Sequence, residues 1–305
     1  MAKVIKPNAL ELLECSVAES DDVDGVTWNA STTYSKGQKV RYEHVSYESL
    51  ADTNKGNNPS ETWSGTEAKW KKIGATMPWR MLDDFVETKT SGPEGQPLTF
   101  TVPFSRATAF ALLNLEGATV HVTVADDDEG VFFEETYQVV KDIDGFSLFS
   151  YNFDEMEAVD TILSTEIPMP ISGKMSVEID PGGGSVASVG HVIVGRARDL
   201  GYTKYEAEVG ITDYSKKETD DFGVTSFVRR SYAKVASIEL YLHPNQSDFV
   251  AQVLQDLRAT PALWIGDNTD SGYTSLTIFG WVEDWRSVYS GPNEQQLSVD
   301  VQGLI

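Results

Sequence analysis

The sequence predicts a mainly β protein: a small aromatic-rich β module, then a β-sandwich or jelly-roll-like domain, then a β-rich C-terminal domain with one helix. Three observations carry this. Apolar and polar residues alternate over strand-length runs, as in Leu98-Thr-Phe-Thr-Val102, at Val120, Val122 and Val124, and at Leu297, Val299 and Val301. Turn-forming clusters such as Gly92-Pro93-Glu94-Gly95 and Pro181-Gly182-Gly183-Gly184 punctuate those runs. One good helical pattern stands out, beginning near Ser247. At 305 residues the chain has room for about two or three domains.

Taken in order, residues 1–24 read as an N-terminal arm. Asn8 is placed to cap a short helix over 8–15, and the acidic stretch Asp21-Asp22-Val-Asp24-Gly25 follows. Residues 25–76 form the aromatic module, with Trp28, Tyr34, Tyr42, Tyr47, Trp63 and Trp70 set among polar and turn-forming residues. Residues 77–198 carry the strand alternation of a two-sheet sandwich, including Val177 and Ile179. In 199–305, Ile238, Leu240 and Leu242 alternate with Ser237, Glu239 and Tyr241. The helix near Ser247 is expected to put Phe249, Val250, Val253, Leu254 and Leu257 on one face and to stop before Pro261.

Composition narrows the function. Lys and Arg number 24 against 47 Asp and Glu, a net charge of -23, so a phosphate backbone is repelled and nucleic acid is not an expected partner. No run approaches the roughly 18–20 apolar residues of a membrane span, so no membrane insertion is expected. Lys3 and Lys6 are followed by Glu11 and Glu14, which interrupt the apolar centre of a signal peptide and argue against ordinary Sec export. Cys15, the one cysteine, closes no intramolecular disulfide and reads as a small buried hydrophobe.

Catalytic motifs do not occur. The chain has no Gly-x-Ser-x-Gly elbow, His-Glu-x-x-His helix, Walker loop or dinucleotide fingerprint. His44, His121, His191 and His243 are scattered, and Gly182–Gly184 lacks the Lys and Ser/Thr of a phosphate loop, leaving a hairpin turn. Two Asp-rich turns, Asp126–Glu129 and Asp267–Gly272, hold oxygen donors but not the spaced calcium loop with its distal bidentate acid. Glycoside hydrolysis needs two carboxyls about 5–9 Å apart, which sequence spacing does not establish. The expectation is a protein that is not an enzyme, with no catalytic residues, no metal site and no cofactor.

A flat aromatic ring binds the C–H face of a sugar while polar neighbours take its hydroxyls. The candidate carbohydrate-binding residues are therefore Trp63, Tyr42, Tyr47, Trp28, Tyr34 and Trp70. Their order, Trp28, then Tyr34-Ser-Lys-Gly37, Val40-Arg-Tyr42, Tyr47, Pro59 and a closing Trp70, resembles the small chitin-binding modules of bacterial chitinases, carbohydrate-binding types five and twelve. Those modules carry an exposed tryptophan pair after the position of Tyr47, where this chain has Ser49-Leu50-Ala51-Asp52. That leaves Trp63, in the loop-like Pro59–Gly65, as the leading stacking candidate, with Trp28, Tyr34, Val40 and Trp70 expected in the small core.

A longer order is also similar to a tail-associated structural protein of tailed bacteriophages. It runs from Tyr47-Glu-Ser-Leu50 and Gly56-Asn-Asn-Pro59 through Pro78-Trp79-Arg80-Met81-Leu82-Asp83. Val209-Gly-Ile-Thr-Asp-Tyr-Ser-Lys-Lys217, Ala259-Thr-Pro-Ala-Leu-Trp-Ile265 and Gly303-Leu-Ile305 continue it. The resemblance implies a virion structural protein of the tail or an adsorption appendage, assembled in the host cytoplasm as a homo-oligomer. Its implied partners are other virion tail proteins, with a host-surface polysaccharide as candidate ligand. The alternative from another class is a free accessory glycan-binding protein.

Overall fold

The computed structural model describes residues 1–126, 130–139, 159–168, 172–205, 207–219, 222–223, 225–267, 274–289, 291 and 294–304. The fold is mainly β, with 53% of the chain in strands and a six-stranded barrel among several antiparallel sheets.

The N-terminal segment, expected as an arm, is woven into the body. β1 (Ala2–Pro7) lies between two later strands of the barrel, with Ala2 and Val4 in the barrel core and Ile5 in a separate cluster on the other face. Residues 8–15 form no helix. Leu10, Leu12, Cys15 and Val17 pack on the sandwich core, and the Leu13 and Ser16 amides donate to the Thr101 and Thr99 carbonyls. β2 (Glu14–Cys15) thereby becomes the edge of the sandwich sheet. Tertiary burial of this apolar set overrides the weak capping signal at Asn8, whose amide donates instead to the Val194 carbonyl.

The aromatic module comprises β3 (Val26–Thr27), β4 (Thr33–Tyr34), β5 (Lys39–Tyr42), β6 (Val45–Ser49), β7 (Asn54–Lys55) and β8 (Trp70–Ala75). β3, β5, β6 and β8 make one sheet, and β4 pairs with β7. Tyr34, Val40, Tyr47 and Trp70 form its core. The module is tied to the rest through Asp24, a buried carboxylate whose Oδ1 accepts from the Met77 amide at 2.8 Å and whose Oδ2 accepts from the Ser20 amide at 3.0 Å.

β9 (Thr90–Ser91) leads into the sandwich, whose strands are β10 (Leu98–Ser105), β11 (Ala109–Leu113), β12 (Thr119–Asp126), β13 (Gly130–Gln138), β14 (Thr161–Ser164) and β15 (Ser172–Asp180). After the short β16 (Ser188–Val189) comes the long β17 (His191–Thr203). One sheet runs β13-β12-β15-β10-β2. Leu98, Phe100, Val102, Val120, Val122, Val124, Met175, Val177 and Ile179 point from it onto Phe110, Leu112, Val192 and Val194, as the period-two alternation requires. β11 is buried on both faces, since Ala109, Ala111 and Leu113 join a second apolar cluster with Ile5, Leu263 and Phe279.

The last strands are β18 (Glu208–Asp213), β19 (Lys216–Thr219), β20 (Thr225–Val228), β21 (Tyr232–Leu242), β22 (Ala262–Ile265), β23 (Thr277–Tyr289) and β24 (Gln295–Gly303). The order β17-β1-β22-β23-β24-β21 closes into the barrel where Tyr202 and Thr203 pair with Tyr241 and Leu240. Closure depends on near contact of backbones. Gly201 sits at φ +132 with the Tyr241 carbonyl oxygen 2.6 Å from where a Cβ would stand, and a Cβ at Gly280 would collide with the Gln302 carbonyl. The expected division near residue 198 therefore falls inside one continuous strand, because β17 serves the sandwich with its first half and the barrel with its second.

The helix spans Pro244–Asp256, starting three residues before Ser247. His243 caps it, Nδ1 accepting from the Asn245 amide, and Pro244 takes the first turn, where its missing N–H costs nothing. Val250, Val253, Leu254 and the following Leu257 pack into the barrel core. Phe249, expected on the same face, is instead exposed, with the Arg198 guanidinium 6.0 Å from its ring centre.

Candidate functional site

The six aromatic candidates divide by burial. Trp70 is 0% exposed, packs edge-on against Tyr34 with ring centres 5.5 Å apart, and donates its Nε1–H to the Asn57 carbonyl at 3.0 Å. Tyr34 accepts from the Asn29 amide through its hydroxyl, and Tyr47 is buried beside it. These three rings are core, and a ring enclosed on both faces offers a sugar nothing. Trp28 and Tyr42 are half-buried, in edge contact at 5.4 Å. Trp63 is 44% exposed, and the Lys72 ammonium lies 5.6 Å from its ring centre.

The loop that presents Trp63 is held by short-range bonds. The Asn58 side chain accepts from the Ser60 amide and hydroxyl, both at 3.1 Å, and the Asn58 carbonyl accepts from the Thr62 hydroxyl at 2.7 Å. Asn57 in turn donates to Asn54, whose side chain bridges to the Lys69 carbonyl. The polar residues of the Asn-Asn-Pro run thus form a scaffold beneath one outward ring, with an amine beside it.

Where the module meets the sandwich lies a cleft of about 320 Å³, lined by His44, Lys72, Trp79, Asp83 and Phe85 among others. His44 stacks on Trp79 with ring centres 4.1 Å apart, and its Nδ1 is 2.9 Å from Glu19 Oε1. Glu43 and His44 both hold positive φ, 49° and 62°, in the hairpin turn between β5 and β6, where glycine or asparagine is the easier choice. Burial works to raise the Glu19 carboxyl, but hydrogen bonds from His44 and Thr76 and the charge of Arg41 outweigh it and hold the group below its ordinary range. Asp83 moves the other way. Burial pushes it up to about 6, against hydrogen bonds from the Phe85 amide and the Thr88 hydroxyl. This cleft is not legible in the sequence, because its residues come from separate segments that only the fold brings together.

Each histidine has a structural place. His121 bonds Thr136 and Glu134 on the sandwich surface, His243 caps the helix, and His44 latches the module. His191 is packed against Phe279 at 4.4 Å between ring centres, and burial pushes it down to about 4, partly offset by a hydrogen bond with the Asp83 backbone. Burial also raises the Cys15 thiol, partly offset by the Val17 amide. Among the described residues no group of three or more His, Cys, Asp or Glu is placed to hold a metal. Residues 127–129 and 268–272 of the two Asp-rich turns lie outside the described residues.

A second surface was not singled out from the sequence. β18 ends the nine-stranded sheet, and among the described residues it pairs only with β21. The eight residues of β19 and β20 are all exposed and pair with each other as a two-stranded ribbon. This stretch exposes Tyr205, Val209, Ile211, Tyr214, Phe227, Val228 and Tyr232. The sequence signal was present in Val209-Gly-Ile211, whose alternation matches a strand with one buried face; among the described residues that face is uncovered.

No protein-family model matches the chain, and no curated protein matches it significantly.

Proposed function

We propose that the chain is a structural subunit of a tailed-phage virion, in the tail or an adsorption appendage, working as many identical copies with a glycan-contacting module on its surface. The observation that carries the many-copy assembly is the concentration of large exposed apolar residues on the β18 edge and the β19–β20 ribbon, while the virion setting rests on the sequence resemblance. An exposed edge with apolar side chains is a template for pairing with another chain. The sequence resemblance to the phage tail-associated group supports the same reading.

Trp63 supports the glycan contact. One stacking ring contributes about 0.5–1.5 kcal/mol beyond area burial, too little for a lone sugar. Repetition over many copies raises avidity by roughly 10²–10⁴-fold without new contacts, so weak adhesion and assembly belong together. Sedimentation of the full chain over a concentration series tests the assembly: discrete oligomers are expected, and a monomer at the highest concentrations counts against it.

A further inference from the structure

We propose that the ribbon of one copy docks along the β18 edge of a second copy as an added antiparallel strand, the cationic end of β20 lying against the acidic start of β18. This deepens the assembly reading and rests on it. Among the described residues, nothing in the single chain completes either surface. A two-stranded ribbon is marginal in water without a sheet or helix behind it, and here Phe227 is 75% and Val228 44% exposed. β18 reads Glu208-Val-Gly-Ile-Thr-Asp213, with Ile211 62% exposed and none of the lysines or prolines that blunt an edge. β13, at the other end of the sandwich sheet from β2 and paired only with β12 among the described residues, is different, since it carries the adjacent exposed carboxylates Glu134 and Glu135.

Cross-strand pairing selects the occupant. If β18 paired antiparallel with β18 of another copy about its own centre, Glu208 would face Asp213 and like charges would meet at both ends. Against Thr225–Val228 continued by Arg229 and Arg230, the antiparallel register places Glu208 opposite Arg230, Ile211 opposite Phe227 and Thr212 opposite Ser226. These are an opposite-charge pair, a β-branched–aromatic pair and a hydroxyl pair, the three favourable kinds. Lys217 lies near Arg229 and Arg230 at the root of the same ribbon, with Lys216 paired to Glu218 at 2.7 Å, which leaves a local excess of cation in a chain of net charge -23. Such a patch meets an acidic surface more readily than another like itself. Each copy carries one ribbon and one edge, so the contact either closes reciprocally or runs head to tail into a ring or filament.

The test uses the full chain on a Cys15→Ser background. Chains carrying Ile211→Cys are mixed with chains carrying Phe227→Cys and oxidised. Directly opposed strand residues bring Cβ atoms to about 4.5–5.5 Å, close enough for a disulfide after small adjustment. A covalent heterodimer formed only in the mixture supports the docking. In parallel, Arg229→Glu with Arg230→Glu is expected to weaken association about tenfold or more, and Glu208→Lys in the partner chain to restore part of it. Circular dichroism and thermal unfolding confirm that these exposed substitutions leave the fold intact. Oligomers that persist under charge reversal with no cross-link overturn this docking mode and leave the assembly reading standing. A chain that never associates overturns both.

Discussion

Trp70→Ala is the substitution for which the fold sets the clearest expectation. The aromatic module, Val26–Ala75, has four fully enclosed hydrophobic residues, and Trp70 is the largest of them. Removing the ring deletes its packing on Tyr34, leaves a cavity, and leaves the Asn57 carbonyl without the indole N–H. A buried Trp→Ala change costs about 3–5 kcal/mol. A unit of about 50 residues at roughly 0.05–0.15 kcal/mol per residue has only about 2.5–7.5 kcal/mol in total. The module should therefore unfold in the variant, or stand at its threshold, while the sandwich and barrel, whose cores contain none of its residues, remain folded. Urea unfolding followed by near-ultraviolet circular dichroism, with limited proteolysis in native buffer, reads this directly. The expected result is early loss of a minority of the aromatic signal and cleavage confined to residues 26–75. A single cooperative transition of the whole chain, or stability within 1 kcal/mol of the parent, would refute the reasoning.

Trp63→Ala should change unfolding free energy by no more than about 0.5 kcal/mol, as for an exposed site, yet abolish retention on chitin or host polysaccharide; retention equal to the parent removes Trp63 from the site. Gly280→Ala forces a Cβ against the Gln302 carbonyl at the barrel seam and should cost about 1–3 kcal/mol or more, measured as a lower Tm; an unchanged Tm would mean that the seam relaxes freely. His191 has a folded pKa of about 4, below the ordinary value of about 6.5. A depressed histidine costs nothing above the unfolded pKa and destabilises as pH falls through that interval, by roughly 3 kcal/mol at completion. Asp83, raised to about 6, contributes in the opposite sense over an overlapping interval, weakened by its partial exposure. His191→Asn should thus be less stable than the parent at pH 7 and lose that deficit toward pH 4, read from urea midpoints; equal deficits at both pH values contradict the assignment.

Much of the β architecture was legible because alternation reports burial of one face directly. Leu98, Phe100 and Val102, or Leu297, Val299 and Val301, face a core because every second residue must. Barrel closure was not legible. It depends on β1 inserting between β17 and β22 and on β21 meeting β17, pairings between residues up to some two hundred and sixty positions apart, such as Lys3 with Ile265. The absent helix over 8–15 has a tertiary cause, since Leu10, Leu12 and Cys15 pack on the sandwich core, whereas the start at Pro244 is set locally by the His243 cap and the proline of the first turn. Within the candidate site, the loop context of Trp63 was readable from Pro59, Ser60 and Gly65. The His44–Trp79 stack and the raised Asp83 were not, because they arise where the module docks on the sandwich.

Quantitative mass spectrometry of purified phage particles tests the central claim most directly. The account predicts this chain as an intact component present in many copies per particle, at a fixed ratio to the other tail proteins. Its absence from washed particles, with the protein free in the lysate, would contradict it.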